Sequence, residues 1–369
     1  VLGTGGYRLR LYLFQGPIQP FTLAFSGIKP PLCPSTSIRC PIHLVAFRHL
    51  IEQMSQITSI ILPFFALIGL GWVGGKFRIV SPDGMRGING FVFYFALPAL
   101  LFKALATRSP SEIWQPDIIL IYGGATLVVY GASRIIAAKV FHLDPSSQTL
   151  FSFAGTMGNV GFMGLPLIIG LLGPEATVPL IVALAVDLII MLPLSLLLLE
   201  GAKHSKGSNP AGKIIRGTFT NPVVLAISFG VAASLLDLDW PDGIDYLPDL
   251  LGQSAGPAAL FAIGVALVGR PIAEKRAELA TMSMAKLIIH PIAVFIGFWV
   301  AGSASVLETT AVLLLAALPT AGNIFVIATT YDRYVVRSSS IVLVTTALGV
   351  ISFSAFSVYI DTIVGWLGP

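Results

Sequence analysis

The sequence predicts an all-α polytopic membrane protein with ten transmembrane helices. Its 369 residues are 55% hydrophobic and only 11% charged, with a mean hydropathy of +0.86. Soluble domains carry about a quarter charged residues, so this composition is typical of a chain embedded in lipid. Apolar runs of roughly 20 residues, the length that crosses a bilayer, recur from Ile57 to the C-terminus with short polar breaks.

Ten apolar runs, separated by charge, glycine or proline, define the predicted spans. They cover residues 56–76, 87–107, 117–140, 148–172, 176–200, 218–237, 250–270, 281–301, 306–329 and 338–365. Residues 1–53 do not fit this pattern, because they hold scattered prolines, both cysteines and no methionine. We expect 1–53 to be a non-native, disordered upstream extension, with a cleavable signal peptide as the alternative. The chain from Met54 onward has no cysteine, which excludes thiol chemistry and disulfides there.

Basic residues mark alternate loops between the predicted spans. These loops hold 14 of the 17 Lys and Arg residues that follow Met54. By the positive-inside rule this side is cytoplasmic, which puts both termini outside and requires an even number of spans. The net charge of +4 comes entirely from residues 1–53, so the basic isoelectric point does not indicate nucleic-acid binding.

The ten spans divide into five plus five around the basic loop 201–217, giving repeats 54–200 and 218–369. Because five is odd, the second repeat enters the membrane in the opposite orientation, as in an inverted repeat. The fourth span of each half carries a proline beside polar residues: GNVGFMGLP at 158–166 and LPTAGN at 318–323. Paired interruptions of this kind indicate a transporter binding site.

Glycine and proline unwind a helix, and the freed backbone groups are tolerated in a membrane only where they line a cavity or meet a ligand. Broken helices 4 and 9 that cross at the midplane would present helix N-termini, which attract anions such as carboxylates. Asn159 and Asn323 would add uncharged donors and acceptors. In the alternative interpretation the glycines only permit close packing and the asparagines join helices.

Four ionisable residues lie within or near the predicted spans. Asp187 is mid-span, where a carboxylate is expensive, and we expect either a proton-coupling site or a carboxyl group kept for packing. His290 is expected either to relay protons or to accept a backbone hydrogen bond. We expect Lys286 to extend to the cytoplasmic interface and Lys103 to anchor the outer end of the second span.

Four segments carry a family resemblance. GINGFVFYFALPALLFKALA (87–106), NVGFMGLPLIIGLLG (159–173), SAGPAALFAIGVALVG (254–269) and AALPTAGNIFVIATTYD (316–332) resemble the second, fourth, seventh and ninth spans of the auxin efflux carrier family. This family includes plant PIN-FORMED carriers and bacterial permeases for small dicarboxylates. The resemblance covers essentially all of 54–369, in the right order and spacing.

The resemblance implies two inverted five-helix repeats in which helices 1, 2, 6 and 7 form a scaffold. Helices 3–5 and 8–10 would form a transport domain that moves like an elevator, and the scaffold would mediate a homodimer. The crossover prolines of the family correspond to Pro166 and Pro319. The family's substrate-binding asparagine corresponds to Asn159.

The chain departs from the plant pattern at three places. Met157-Gly158 replaces a Leu-Pro pair, Ile324 replaces a second proline, and Asn323 has no counterpart. The long hydrophilic central loop of many plant members is reduced here to 201–217, so auxin is not implied as the substrate.

These observations favour a secondary transporter of small organic anions in the bacterial inner membrane, coupled to protons, sodium or the membrane potential. The predicted binding residues are Gly158, Asn159, Pro166, Pro319, Thr320 and Asn323, with Asp187 and His290 as candidates for ion coupling. A sodium-coupled bile-acid-type carrier is the nearest alternative, although Thr156, Asn159, Thr320 and Asn323 supply only part of a sodium cage. A channel remains a second alternative. An intramembrane enzyme lacks support because H-E-x-x-H and G-x-S-x-G motifs are absent, and no P-loop, metal site or cofactor site is recognised.

Overall fold

The computed structural model describes residues 62–202, 210–237, 246–269, 275–302 and 305–365, all within one compact unit of residues 40–369. Throughout these ranges the regular structure is helical, and extended backbone pairs at a single isolated bridge. The predicted all-α class is therefore confirmed for the described residues. The predicted upstream extension, residues 1–53, lies outside them.

The first half of the described chain contains helices α1 to α9. They are α1 (Leu62–Lys76), α2 (Pro82–Phe91), α3 (Leu97–Ala106), α4 (Pro110–Ile113), α5 (Pro116–Lys139), α6 (Pro145–Thr156), α7 (Leu165–Leu172), α8 (Thr177–Val186) and α9 (Leu192–Ala202). Three π-helical turns lead into α3, α7 and α9: Val92–Ala96, Val160–Gly164 and Asp187–Met191. Because their hydrogen bonds continue the helix, α2–α3 and α8–α9 each form one long apolar rod.

The second half contains helices α10 to α17. They are α10 (Pro210–Phe219), α11 (Pro222–Leu235), α12 (Tyr246–Ala266), α13 (Arg276–Met284), α14 (His290–Ala301), α15 (Val306–Ala316), α16 (Asn323–Thr330) and α17 (Val335–Gly365). A π-helical turn, Ala285–Ile289, joins α13 to α14. A bend of 59° separates α10 from α11.

Several helices start at a polar cap followed by proline. The Asp144 carboxylate accepts hydrogen bonds from the N–H groups of Ser146 and Ser147 at 3.1 and 3.2 Å, and Asn221 caps α11 in the same way. These side chains satisfy N–H groups that have no partner within the helix. Proline in the first turn costs no hydrogen bond there, so the sequence fixes these starting points locally.

Six helices in the described ranges are long and apolar enough to cross a membrane, or seven if the bent pair α10–α11 is one span. The six cover residues 83–106, 110–139, 174–202, 246–267, 276–301 and 335–358. Large apolar side chains such as Leu120, Val128 and Val300 are mostly exposed on their outer faces. Such faces are expected against lipid, so the chain is a polytopic membrane protein. The count of ten spans stays a prediction.

Helices α1, α3, α11 and α12 pack into one group. Glycine makes the α1–α12 contact possible, because a Cβ atom on Gly264 would overlap the carbonyl oxygen of Ile68 and lie 2.7 Å from the nitrogen of Trp72. A Cβ atom on Gly230 of α11 would lie 2.9 Å from the Cβ of Leu105 of α3. Small residues thus bring these backbones together, as is usual between membrane helices.

A second group contains the two interrupted helices. α5 packs against α6, α8 and α14, while α15 packs against α8, α14 and α17. The ends of α6 and α15 are enclosed by these neighbours, with Phe153 and Leu315 almost fully buried. The irregular backbone between the helix halves is therefore surrounded by protein.

Candidate functional site

The helix of the fourth predicted span is interrupted after Thr156. Met157 is extended, with ψ 112°, and Asn159 has φ −80° and ψ 59° before the helical path resumes at Val160–Gly164. Pro166 lies seven residues beyond Asn159, inside the helix that runs from Val160 to Leu172, and its missing N–H falls where the π-helical turn passes into α7. Gly158 lies within the interruption itself, where its low helix propensity favours the break.

The ninth predicted span is interrupted in a corresponding way. α15 ends at Ala316, residues 317–322 leave the helical path, and α16 begins at Asn323. Pro319 disfavours the helical conformation at the residue before it and contributes no N–H. This interruption is again dictated locally.

The two interruptions meet each other. Gly158 and Thr320 form an antiparallel bridge. The N–H of Asn159 donates to the carbonyl oxygen of Pro319 at 2.9 Å. The N–H of Ala321 donates to the carbonyl oxygen of Met157 at 3.0 Å. Backbone groups released by one helix are thus satisfied by the other, which removes the penalty of breaking a helix in a membrane.

Two threonines hold this crossover in place. The Thr320 hydroxyl donates to the carbonyl oxygen of Ala154 in α6 at 2.8 Å, and the Thr320 N–H donates to the Thr345 hydroxyl of α17 at 3.1 Å. Both threonines are fully buried. Sequence analysis missed Thr345, because one threonine in a long apolar helix gives no local signal.

Lys286 is buried beside the crossover, so the prediction that its side chain extends to the cytoplasmic interface is wrong. The side chain is 0% exposed, and its Nζ donates to the carbonyl oxygen of Ala316 at 2.6 Å. A Cβ atom on Gly158 would lie 3.4 Å from this nitrogen. The physical reason is that Ala316 ends α15, where unpaired carbonyl groups carry partial negative charge and favour a cation.

Lys286 also belongs to a buried polar chain that contains both predicted coupling residues. The Lys286 Nζ is 3.1 Å from His290 Nδ1, and His290 Nε2 is 2.9 Å from the Thr126 hydroxyl. The Thr126 hydroxyl donates to the carbonyl oxygen of Tyr122 at 2.7 Å, and the Tyr122 hydroxyl donates to Asp187 at 3.1 Å. Three separate spans therefore contribute to one connected cluster.

The predicted binding residues divide into three positions. Gly158, Thr320 and Pro319 form the crossover itself, and the adjacent Asn159 is 7% exposed. Asn323 is exposed at the first residue of α16, apart from the buried part of the site.

Pro166 lines a cavity of about 510 Å³ between α3, α7 and α12. Gly161 and Leu165, which follow Asn159 closely in sequence, line the same cavity. Lys103 and Arg108 lie on its wall, where Lys103 pairs with Asp249 at 2.6 Å. The cavity thus connects the crossover region to a charged rim.

Arg108 pairs with Glu112 at 3.1 Å and with Glu175 at 3.6 Å. Arg108 lies two residues beyond the end of the rod formed by α2 and α3, whereas Glu175 lies in the short turn between α7 and α8. This rim therefore joins the helix group of α3 to the group that holds the crossover.

Among the described residues, no group of three or more His, Cys, Asp or Glu side chains is placed to hold a metal ion. The hydroxyls of Thr156 and Thr320 both donate to carbonyl oxygens of α6. A hydroxyl that donates its proton keeps its oxygen lone pairs, so the sodium cage considered from the sequence stays a prediction.

The apolar helices define a polytopic integral membrane protein, and its paired helix interruptions are of a kind that occurs in secondary transporters. The sequence profile described as "Membrane transport protein" matches residues 56–357. The chain belongs to this family, the auxin efflux carrier family, which confirms the resemblance found in the sequence. Its members are transporters, so the prediction that the chain is not an enzyme is also confirmed.

Three relatives illustrate the range of the family. A Rhizobium meliloti (strain 1021) protein named "Putative malonate transporter" is 34% identical over 299 residues, covering 80% of this chain and 93% of the relative. The "Uncharacterized transporter YfdV" of Escherichia coli (strain K12) is 26% identical, covering 82% and 97%. "Auxin efflux carrier component 3" of Arabidopsis thaliana is 26% identical over 200 residues, which cover 53% of this chain but 29% of the plant protein.

Proposed function

We propose that the chain is a secondary transporter that moves small carboxylates across the bacterial inner membrane by elevator-type alternating access. The observation that carries this proposal is the antiparallel pairing of two interrupted helices at Gly158 and Thr320. Continuous helices would satisfy the same backbone groups without any long-range pairing, so a protein that needed only stable spans would use them. Irregular backbone at membrane depth is typical of a substrate site.

The charge distribution at the crossover favours an anion. The ends of α6 and α15 are C-terminal and carry partial negative charge, which Lys286 offsets at Ala316. The turn Val160–Gly164 and α16 start there, and neither has a side-chain cap. Their N-terminal dipoles are therefore available to a carboxylate, and Asn159 at the start of the first is the proposed ligand, with Asn323 at the start of the second.

Family membership supports the proposed substrate class. A relative 34% identical to this chain is named as a malonate transporter, and malonate is a small dicarboxylate. The departures from the plant motif at Gly158 and Ile324 argue against auxin. We therefore propose a small mono- or dicarboxylate.

The packing groups suggest which parts move. Helices α1, α2–α3, α11 and α12 are proposed as the scaffold, corresponding to spans 1, 2, 6 and 7. The crossover group is proposed as the transport domain, built from spans 3–5 and 8–10, with two inverted repeats, 54–200 and 218–369, and both termini outside. The cavity at Pro166 lies between scaffold and transport domain, where substrate would enter.

A homodimer through the scaffold is part of the same proposal. An apolar groove between α3 and α11, lined by Phe102, Leu225 and Phe229 among others, is the surface proposed for the second copy. Residues 201–217 are proposed as a cytoplasmic connection between the repeats.

Uptake into proteoliposomes tests the function. The full chain should accumulate labelled malonate or malate saturably, and Asn159→Ala should abolish binding while leaving expression intact. Asn89→Ala, on α2 and away from the crossover, is the matched control and should transport normally. Normal malonate binding by Asn159→Ala would remove the crossover site. Uptake that never saturates would instead support a channel.

A further inference from the structure

Four ionisable side chains are buried in the crossover group without reaching water. Lys286, His290 and Tyr122 are 0% exposed, and Asp187 is 2% exposed. Burying a charge costs several kcal/mol unless hydrogen bonds and an opposite charge compensate it. Apolar residues of the same size would pack at no such cost, so this cluster requires an explanation beyond stability.

One assignment of protons satisfies the hydrogen bonds of the cluster. Because the Thr126 hydroxyl gives its only proton to the Tyr122 carbonyl, it accepts at His290. His290 therefore carries its proton on Nε2, and its Nδ1 accepts from Lys286. Both ring nitrogens are occupied while the imidazole is neutral. His290 is thus a positioning residue that holds Lys286 rather than a proton carrier.

Asp187 and Lys286 remain as the two charged groups of the cluster. Their charges interact across the core, but the ion pairs among the described residues include no direct contact between them. The hydrogen bonds described for the Asp187 carboxylate come from the Tyr122 hydroxyl alone, at 3.1 and 3.3 Å. A carboxylate held by one neutral donor can gain a proton without losing an ion pair in direct contact.

No other charge in the described surroundings competes with this pair. The packed elements α3, α5, α6, α8, α9, α11, α13, α14, α15 and α17 contribute Tyr122 and His290 beside the pair. Of their remaining described ionisable groups, Asp117, Lys139 and Arg276 are exposed at helix ends. The others have separate partners: Lys103 with Asp249, Arg134 with Thr149, Tyr130 with Ser195, Glu200 with Tyr331, Glu308 with Gln115, and Arg337 and Tyr334 with Glu278.

The pair is connected to the proposed substrate site through Lys286. Its nitrogen contacts the end of α15 and lies against Gly158, one residue from Asn159. A carboxylate that binds at the crossover adds negative charge close to Lys286 in a medium that screens charge poorly. The added charge favours proton binding at Asp187, and by linkage a proton at Asp187 favours the anion.

We infer that Asp187 is the proton-exchanging group of this pair and that, with the lasting positive charge of Lys286 beside the crossover, it couples carboxylate transport to proton movement in the same direction. This inference rests on the proposed function. One proton enters from water as the anion loads, forms the O–H bond of the Asp187 carboxylic acid, and returns to water on the other side when that bond breaks. Lys286 keeps its proton and offsets the charge of the anion.

Malonate binding to the purified full chain in detergent, measured against pH, tests the coupling. If one proton binds with each anion, the apparent Kd rises about tenfold per pH unit over a range in which malonate stays fully ionised. Asp187→Asn, which mimics the protonated carboxyl group, should bind malonate with an apparent Kd that does not change with pH. Proteoliposomes should show malonate accumulation driven by an inward proton gradient, and Asp187→Asn should lose that response.

Tyr130→Phe is the matched control. Tyr130 and Ser195 lie eight residues beyond Tyr122 and Asp187 on the same two spans, and their hydroxyls are 3.1 Å apart. Tyr130→Phe should keep the tenfold rise of the apparent Kd per pH unit. Tyr122→Phe should displace the pH at which the apparent Kd begins to rise, because only this variant removes a hydrogen bond to the Asp187 carboxylate. Tyr122→Phe also provides the second variant if Asp187→Asn does not fold.

The outcomes separate the inference from the proposed function. Malonate binding that is flat with pH in the wild type, or equally steep in Asp187→Asn, overturns the coupling and leaves the carboxylate transporter intact. The coupling is also overturned if the apparent malonate Kd of Tyr122→Phe begins to rise at the same pH as that of Tyr130→Phe. Absence of binding by every carboxylate tested overturns the proposed function and the coupling together.

Discussion

Replacing Lys286 by methionine tests whether its buried ammonium group stabilises the crossover. Methionine keeps most of the volume of the side chain, so the change removes charge and hydrogen bonds rather than packing. The carbonyl oxygen of Ala316 and Nδ1 of His290 would each lose a donor, at 2.6 and 3.1 Å. Asp187 would stay buried without its compensating cation.

The expected loss of unfolding free energy is about 3–5 kcal/mol. Each buried acceptor left unsatisfied costs about 1–3 kcal/mol, and removing one partner of a buried charge pair costs about 3–5 kcal/mol in total. Adding Asp187→Asn removes the uncompensated carboxylate. The double variant should therefore recover about 1–3 kcal/mol relative to Lys286→Met alone.

Unfolding by SDS in mixed micelles, followed by tryptophan fluorescence, measures these differences. Lys103→Met is the matched control, because Lys103 is partly exposed and its pair with Asp249 should contribute no more than about 1 kcal/mol. The reasoning fails if Lys286→Met costs no more than Lys103→Met. It also fails if the double variant is less stable than Lys286→Met.

Three further changes test the packing, the rim and a helix cap. Gly264→Ala would overlap the backbone of α1 and should sharply reduce folded yield, whereas Gly131→Ala, which meets nothing within 4 Å, should not. If the pair of Arg108 with Glu175 restrains the two helix groups, Arg108→Gln should change the rate of malonate uptake with little effect on the free energy of unfolding. An unchanged uptake rate would exclude that restraint. Partial burial raises the pKa of Asp144, but hydrogen bonds from the first turn of α6 outweigh it and hold the pKa below its usual value. The free energy of unfolding that this cap contributes is present above the unfolded pKa of about 4 and is lost as pH falls through the folded pKa. Asp144→Asn should therefore remove this acid dependence of stability. Asp144→Ala should in addition lower the free energy of unfolding by about 0.5–2 kcal/mol at neutral pH.

Much of the fold was predictable because its signals are local. Composition and apolar runs predicted the all-α membrane class, and the family resemblance of 54–369 is confirmed by the profile match to residues 56–357. Gly158 and Pro319 lie in the two interruptions, whereas Pro166 lies inside the helix that follows the first one. Proline and glycine act through their own backbone preferences, so no tertiary information was needed.

The site was only partly predictable. Gly158 and Thr320 were named separately from their motifs, yet nothing in either motif shows that they pair. Lys286 was placed at the interface because a lysine near the predicted end of a span usually extends there. Thr345 gave no signal at all.

The sequence by itself determined that the chain spans a membrane, where its helices start and where two of them are interrupted, since these depend on hydropathy and on single-residue backbone preferences. Tertiary structure decided which groups meet at the interruptions. Thr320 reaches a carbonyl oxygen 166 residues away in α6, and Asp187 is joined to Tyr122 of another span. Partners so distant along the chain leave no periodic pattern, so only folding places a lysine and an aspartate around one crossover.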